Sequence, residues 1–516
     1  MTPSGISDVL AVQPAAVRVM TAPPTQAPAV SSDIQRRLAA RLRAFLPREA
    51  VLTDAEDTHP YECDGLSAYR QLPMVVVLPE TVEQVQRTLK VCDELSVPVV
   101  ARGAGTSLSG GALPLANGVL LSLAKFSRLL ALDPLNRTAR VQPGVRNIAI
   151  SQAAHPYGLY YAPDPSSQIA CSIGGNVAEN AGGVHCLKYG LTVHNVLGLK
   201  FVTIDGELIE IGGESLDGAG YDLLALLTGS EGMLGVLVEI TVKLLPLPEH
   251  AQVLLGAFST IEQAGDAVAE IIGSGFIPSG LEMMDQNAIR ASEEYAHAGY
   301  PVEAAAILLC ELDGTTAEVA NGVARVRAIM EKSGATEVRI SRDEAERLKL
   351  WAGRKAAFPA AGRLAPDYYC MDGTIPRKHL AYVLSEIKRL SAEYGLPVAN
   401  VFHAGDGNLH PLILYDATKP GDLERTEEFG GKILELCIAV GGTITGEHGV
   451  GVEKIGQMCV QFKLEELAQF HAVKAAFDPR GLLNPGKAVP TLARCAEFGA
   501  MHVHAGKLRF PELERF

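Results

Sequence analysis

The chain has 516 residues, 47% of them hydrophobic and 20% charged, with a formal net charge of −14. At about 150 residues per domain, that length implies roughly two to four domains. The acidic surplus excludes a general nucleic-acid binder, which needs a basic face for phosphates, but it permits an anionic substrate held by a local cation or metal.

Residues 1–30 are rich in Ala, Pro, Thr and Val without periodicity and read as a disordered leader. A helical segment, 31–68, is expected to open with Asp33 capping a run in which Ile34, Leu38, Leu42 and Phe45 recur at helical spacing. A first domain spans 69–247. In it Met74–Leu78 reads as a strand, Val82, Val85, Leu89, Cys92 and Leu95 as one face of a helix, and Val97–Ala101 as a second strand. This is a βαβ unit, so the two strands should be parallel. Pro246 and Pro248 mark a boundary. A second domain, 248–487, alternates strands such as AILLCEL with helices such as TAEVANGVARVRAIMEK, and a tail rich in His and Ala closes the chain over 488–516. The fold class expected is α+β.

Nine cysteines are scattered with no CxxC pair, which excludes ferredoxin-type iron–sulfur binding, zinc ribbons and thioredoxin chemistry. The odd count fits reduced thiols in a cytoplasm. With no signal peptide and no apolar run of 18 residues, the chain reads as cytoplasmic with no integral membrane segment, leaving open a peripheral place at the inner membrane through partners.

Four segments carry chemistry. Arg102, Gly103, Ala104, Gly105, Thr106 and Ser107, running on to Gly110, follow a strand; glycines let backbone amides approach a phosphate, and hydroxyls add donors. Leu108 stands where a dinucleotide fingerprint needs its third glycine, so a nicotinamide site is not expected. A second cluster, Pro163 and Asp164, then Ser172, Gly174, Gly175 and Asn176, then Gly182, could grip the other side of one extended diphosphate cofactor. In VANVFHAGDGNLHPLILY, a turn at 405–408 would place His403 opposite His410, close enough to chelate one ion. In TGEHGVG, Glu447 can complete that ligand set and His448 can take a proton near neutral pH. Taken singly, each has a plain alternative: an ordinary glycine turn, a satisfied strand histidine, a charged surface loop. The stretch GLLNPGKA is not a P-loop, since Ala488 lacks the hydroxyl for magnesium and Pro485 lacks an amide.

Six collinear motifs, ARGAGTSLSGG, PDPSSQIACSIGGNVAENAGG, LTGSEGMLGVLVEITVKLLP, FHAGDGNLHP, TGEHGVG and FDPRGLLNPGK, resemble the FAD-linked oxidases of the vanillyl-alcohol-oxidase type. The nearest branch holds glycolate oxidase flavin subunits, D-lactate dehydrogenases and D-2-hydroxyglutarate dehydrogenase. The resemblance implies a two-subdomain FAD-binding domain followed by an α+β cap. It implies FAD on the first two motifs, with Glu231 and Gly232 along the cofactor and Asn484 near the ring. No histidine stands in the first loop, so the FAD is expected to be noncovalent; Cys171 is a nucleophile nearby. It further implies a divalent metal, Zn by its ligands, on His403, His410 and Glu447, with His448 as base and Arg354 as partner of the substrate carboxylate. Relatives that take a dicarboxylate have a lysine near Cys370, so a monocarboxylate such as glycolate or D-lactate is expected. The partners implied are a second flavin-domain subunit and an iron–sulfur subunit. Two other readings compete: a metal hydrolase on the same His/Glu set, and a non-redox flavin transferase of the same fold.

Overall fold

The computed structural model describes residues 32–216, 218–491 and 495; the expected leader, 1–30, and the expected tail beyond 491, apart from Cys495, lie outside them. The first helix spans Ser32–Leu42, so Asp33 lies in its first turn rather than capping it. Its buried Leu38 and Leu42 join the core of a four-stranded sheet made of β1 (Val51–Leu52), β2 (Val75–Val77), β3 (Val99–Arg102) and β4 (Val119–Ser122). The order is β1-β2-β4-β3. β2 and β3 run parallel, but they are not neighbours: β4 lies between them and pairs with both. The valine runs of these strands suit a sheet covered on both faces. The helix between β2 and β3, Val82–Leu95, starts at a capping box of Thr81 and Gln84 and buries Val85, Leu89 and Cys92.

Seven further strands follow: β5 (Leu129–Asp133), β6 (Thr138–Val141), β7 (Leu159–Tyr160), β8 (Val196–Val202), β9 (Leu208–Gly212), β10 (Val236–Lys243) and β11 (Leu245–Pro246). Five of them form an antiparallel sheet in the order β5-β6-β10-β8-β9, and β7 pairs with β11. Along β10 burial alternates strictly, with Val236, Val238, Ile240 and Val242 inward, the period-two signature of a half-covered strand. The glycine-rich stretch Ser172–Asn176 of the second cluster opens a helix, Ile173–Glu179.

The cap is an antiparallel sheet of β12 (His250–Phe258), β13 (Gly280–Asp285), β14 (Ala306–Gly314), β15 (Ala335–Ile340), β16 (Asp367–Cys370), β17 (Val398–Phe402) and β18 (Pro411–Tyr415), in the order β15-β12-β14-β13-β17-β18-β16. Alternate strand residues feed two cores. One takes in Val268, Val326, Met330 and Val383 from helices on one face; the other takes in Ile289, Leu350 and Trp351 from helices on the opposite face. After three more helices the chain returns to the first sheet, where Leu483 bridges Val99 in parallel.

Cys459 and Cys495 form a disulfide, which corrects the expectation that all nine thiols are reduced. The fold brings two cysteines 36 positions apart to a Cα separation of 5.1 Å, a proximity that spacing along the chain does not reveal. Among the described residues no helix is long and apolar enough to cross a membrane.

Candidate active site

A cleft of about 370 Å³ opens between the first two sheets and the cap. Arg102, Gly103, Ala104, Gly105, Thr106 and Ser107 line it, together with Ser172, Gly174, Gly175, Asn176, Glu231 and Gly232. The two glycine-rich segments are docked on each other: the Ala104 amide donates to Ser172 Oγ at 3.2 Å, and a Cβ on Gly103 would stand 2.2 Å from that oxygen. The amides of Gly105, Thr106 and Ser107 donate no hydrogen bond among the described residues, leaving a row of donors for phosphate oxygens. Gly232, at φ +70°, has no atom within 3.4 Å of where a Cβ would stand, so its backbone leaves room for a flat ligand. This cradle fits a long diphosphate cofactor such as FAD.

Five residues expected at the cofactor lie off the wall of the cleft. Gly110 packs against Val452, whose Cγ2 would lie 2.5 Å from a Cβ. Asp164 bonds His185, and the carbonyl of Pro163 accepts from Asn147; Pro165, Ser166 and Ser167 reach the cleft instead. Gly182 sits under the metal-type cluster, where a Cβ would be 2.6 Å from Glu447 Oε2. Asn484 is a clamp: its Nδ2 donates to the carbonyls of Gly111 (3.0 Å) and Glu231 (2.7 Å). Arg102 lines the cleft, but its guanidinium donates to the carbonyls of Cys63 (2.7 Å) and Tyr61 (3.3 Å). Lys487 of the P-loop look-alike is buried against Asn484.

At the cap side of the cleft stand His410, Glu447 and His448. The hairpin that carries the first histidines is in a different register from the one expected. His403 bridges Asn408, and Asn400 pairs with Pro411, so the two histidines are diagonal rather than opposed. They still share a face, with ring centroids 5.1 Å apart, because diagonal side chains of a pleated pair remain within reach. His403 Nε2 lies 3.2 Å and His410 Nε2 3.3 Å from Glu447 Oε1. Donor atoms of these three residues lie within 4.8 Å of one another. Both ring nitrogens of His410 and Glu447 Oε2 are buried without a hydrogen-bond partner. Two imidazoles and a carboxylate with unpartnered atoms fit a divalent ion. Burial would raise the Glu447 pKa, but His403 and His410 outweigh it and bring it down to about 2, so the carboxylate is ionised as a ligand must be. His448 stacks on His410 with centroids 4.8 Å apart. Its Nδ1 is unpartnered, and burial, with His410 beside it, pushes its pKa down to about 4 against the pull of Asp372.

Two carboxylates that the sequence did not single out build this cluster. Glu282 on β13 accepts from His403 Nδ1 at 2.8 Å, fixing the ring so that Nε2 points at Glu447. Asp372, past the end of β16, lies 3.5 Å from His410 Nε2 and also groups with His410 and His448. Its oxygens are already taken by the amides of Gly446 and His448 and by Asn408 Nδ2, so it shapes the 445–448 turn rather than offering a free ligand. On the other side Glu231 accepts from the amides of Val450 and Gly451, both at 2.7 Å, pinning the same turn to the cofactor half.

Arg354, expected at the substrate carboxylate, is buried, and its Nη1 and Nη2 have no hydrogen-bond partner. It is 1% exposed and off the wall of the cleft. Its Nε donates to Glu282 Oε2 at 2.8 Å, and Nη2 lies 2.7 Å from that oxygen. The buried carboxylate holds the arginine in the cap core. The next residue, Lys355, lines the cleft, as do Phe358 and Tyr368.

Residues 73–212 match the family described as FAD binding domain, and residues 247–488 match FAD linked oxidases, C-terminal domain. The glycolate oxidase subunit GlcD of Escherichia coli (strain K12) is 66% identical over 475 residues, covering 92% of this chain and 95% of the relative. The glycolate oxidase subunit GlcD of Bacillus subtilis (strain 168) is 41% identical over 83% of this chain and 91% of its own length. In fold the chain is similar to p-cresol methylhydroxylase with substrate bound, at a TM-score of 0.74, 18% identity and coverage of 90% and 98% of the two chains. The chain belongs to the FAD-linked oxidases and is an FAD-dependent oxidoreductase of the type its motifs resemble.

Proposed function

We propose that the protein oxidises a small monocarboxylate 2-hydroxy acid, glycolate or D-lactate, to the 2-oxo acid. The observation that carries the reading is the cluster of His403, His410, Glu447 and His448, of which His410, Glu447 and His448 have unpartnered buried atoms and line the cleft that the two glycine-rich segments also line. The relatives named as glycolate oxidase subunits support it. When bound, FAD supplies the two-electron acceptor and a divalent ion, Zn by its donor set, supplies the positive charge that lowers a hydroxyl pKa.

The chain's own residues then divide the work. His403, His410 and Glu447 hold the ion. His448, neutral near pH 7, accepts the substrate hydroxyl proton on its ring. Arg354 neutralises Glu282, which orients His403, and its unpartnered Nη1 and Nη2 are left for the substrate carboxylate. Cys370 is buried and offers no charge, so a second carboxylate would go unpaired and D-2-hydroxyglutarate is disfavoured. Burial raises the Cys171 pKa, which keeps it a thiol and agrees with noncovalent FAD. With no CxxC pair in the chain, electrons pass to another carrier; a second flavin-domain subunit and an iron–sulfur subunit are the partners proposed, in a cytoplasmic assembly that meets the inner membrane only through them.

Anaerobic titration of the FAD-loaded protein with glycolate and each lactate, with and without a chelator, tests this. Flavin bleaching by one acid, abolished by the chelator, is expected; a flavin that no acid bleaches would overturn it.

A further inference from the structure

Glu179 lies on the wall of the cleft, at the end of the helix Ile173–Glu179, and its Oε2 is buried without a hydrogen-bond partner. The carboxyl is wedged between the cofactor half and the turn that carries Glu447 and His448. A Cβ on Gly449 would collide with Glu179 Oε2 and stand 3.1 Å from Glu231 Oε1, and a Cβ on Gly111 would stand 2.7 Å from Glu179 Oε1. Two carboxyl groups therefore meet over the α-carbon of Gly449, and their surroundings differ. Glu231 accepts from the amides of Val450 and Gly451, which stabilise its charge. No donor reaches Glu179 Oε2. The two lysines whose charge reaches Glu179 are engaged elsewhere: Lys454 donates to the Gly449 carbonyl and stands 3.1 Å from Glu453, and Lys487 donates to Asn484 Oδ1 at 2.7 Å. Two carboxyls this close and shut from water do not both ionise, so the proton stays on the one without donors. Burial, Glu231 and Asp64 accordingly raise the Glu179 pKa well above the carboxylate range, against the pull of Lys454 and the Ser107 hydroxyl.

We propose that Glu179 stands in the cleft as a neutral acid and donates a hydrogen bond to the bound FAD. This rests on FAD in the cleft and not on which acid is oxidised. The ring carbonyls, ring nitrogens and phosphates of FAD are acceptors, and a protonated carboxyl is a donor where an ionised one is only an acceptor. FAD also gains negative charge on reduction. A neutral donor supports that charge, whereas a second carboxylate beside Glu231 would oppose it.

The test uses the FAD-loaded full-length protein as wild type, Glu179→Gln and Glu179→Ala, with no substrate present. Three quantities are read: FAD affinity from its release on dilution, the midpoint potential of the flavin against a reference dye, and the infrared spectrum. Glutamine keeps a neutral donor, so affinity and potential should stay close to wild type. Glu179→Ala is expected to weaken FAD by about 2- to 10-fold, the range of one neutral hydrogen bond, and to lower the potential. The wild type should show a protonated-carboxyl C=O band that Glu179→Gln lacks. A glutamine variant that holds FAD more tightly and at a higher potential overturns the proposal, because a carboxylate would then have been discharged. So does a glutamine variant as weak as alanine, which would make Glu179 an acceptor, and so does an alanine variant indistinguishable from wild type. If Glu179→Ala does not fold, the glutamine comparison and the infrared band decide.

Discussion

Two buried histidine–carboxylate clusters flank the same cap sheet, and they are built on opposite plans. In the first, His185 Nδ1 meets Asp164 at 2.9 Å and Nε2 meets Glu311 at 3.0 Å, while Glu311 also takes Arg347 at 2.7 Å and the Trp351 indole N–H. None of these five side chains has a buried polar atom without a partner. In the second, His410, Glu447 and His448 all have unpartnered buried atoms. Burying an unpaired polar group costs about 1–3 kcal/mol, so a fold keeps such groups only where something else will meet them. The satisfied cluster ties the cofactor half to β14 of the cap. The unsatisfied one is a site. Composition is nearly the same in both; the count of open atoms tells them apart.

Matched substitutions separate the two. Glu447→Gln should cut the rate of anaerobic flavin reduction by about a thousandfold, the scale of losing a charge-stabilising group, with metal content falling and the melting temperature little changed. Glu311→Gln should do the reverse: a loss of about 3 kcal/mol in denaturant unfolding, because it breaks a buried pair, with reduction of the folded enzyme near wild type. If Glu447→Gln unfolds the protein while Glu311→Gln abolishes turnover, the contrast is inverted. A smaller effect is expected in pH. Burial would lower the His185 pKa, but Asp164 and Glu311 outweigh it and hold it well above 6.5. A raised folded pKa gives stability that is present below the unfolded value and lost as pH rises through the folded one. Thermal stability followed from near pH 6.5 upward should therefore decline more steeply in wild type than in His185→Gln; equal slopes would remove the charged latch.

Local signals in the sequence led furthest where structure is local. The helix Thr316–Lys332 has the bounds its pattern suggests, because Thr315 and Glu318 form a capping box at its start. The first glycine-rich loop lines the cleft because a strand end and small residues are enough to put it there. What escaped is set by pairing that no local signal announces. Nothing near β2 or β3 announces that β4 inserts between them. The shift of the His403 hairpin is decided by its pairing of Asn400 with Pro411, not by the glycine turn itself. Asp164 carries the right chemistry for the site, but His185 reaches it first.

The bridge between Val99 and Leu483 has a consequence for how the molecule is made. β3 is the outer strand of the first sheet, and Leu482 and Asn484 bond its far side, with the Val99 amide and carbonyl each bonded at 2.8 Å. The two partners are separated by 483 − 99 = 384 residues. At about 5–20 residues per second, the ribosome exposes that strand for roughly 20 to 75 seconds before its cover is synthesised. During this time the nascent chain presents an open β-edge, the template on which neighbouring chains pair. The closing segment that stands beside the cofactor cleft thus also ends the period in which the newborn protein is most open to aggregation.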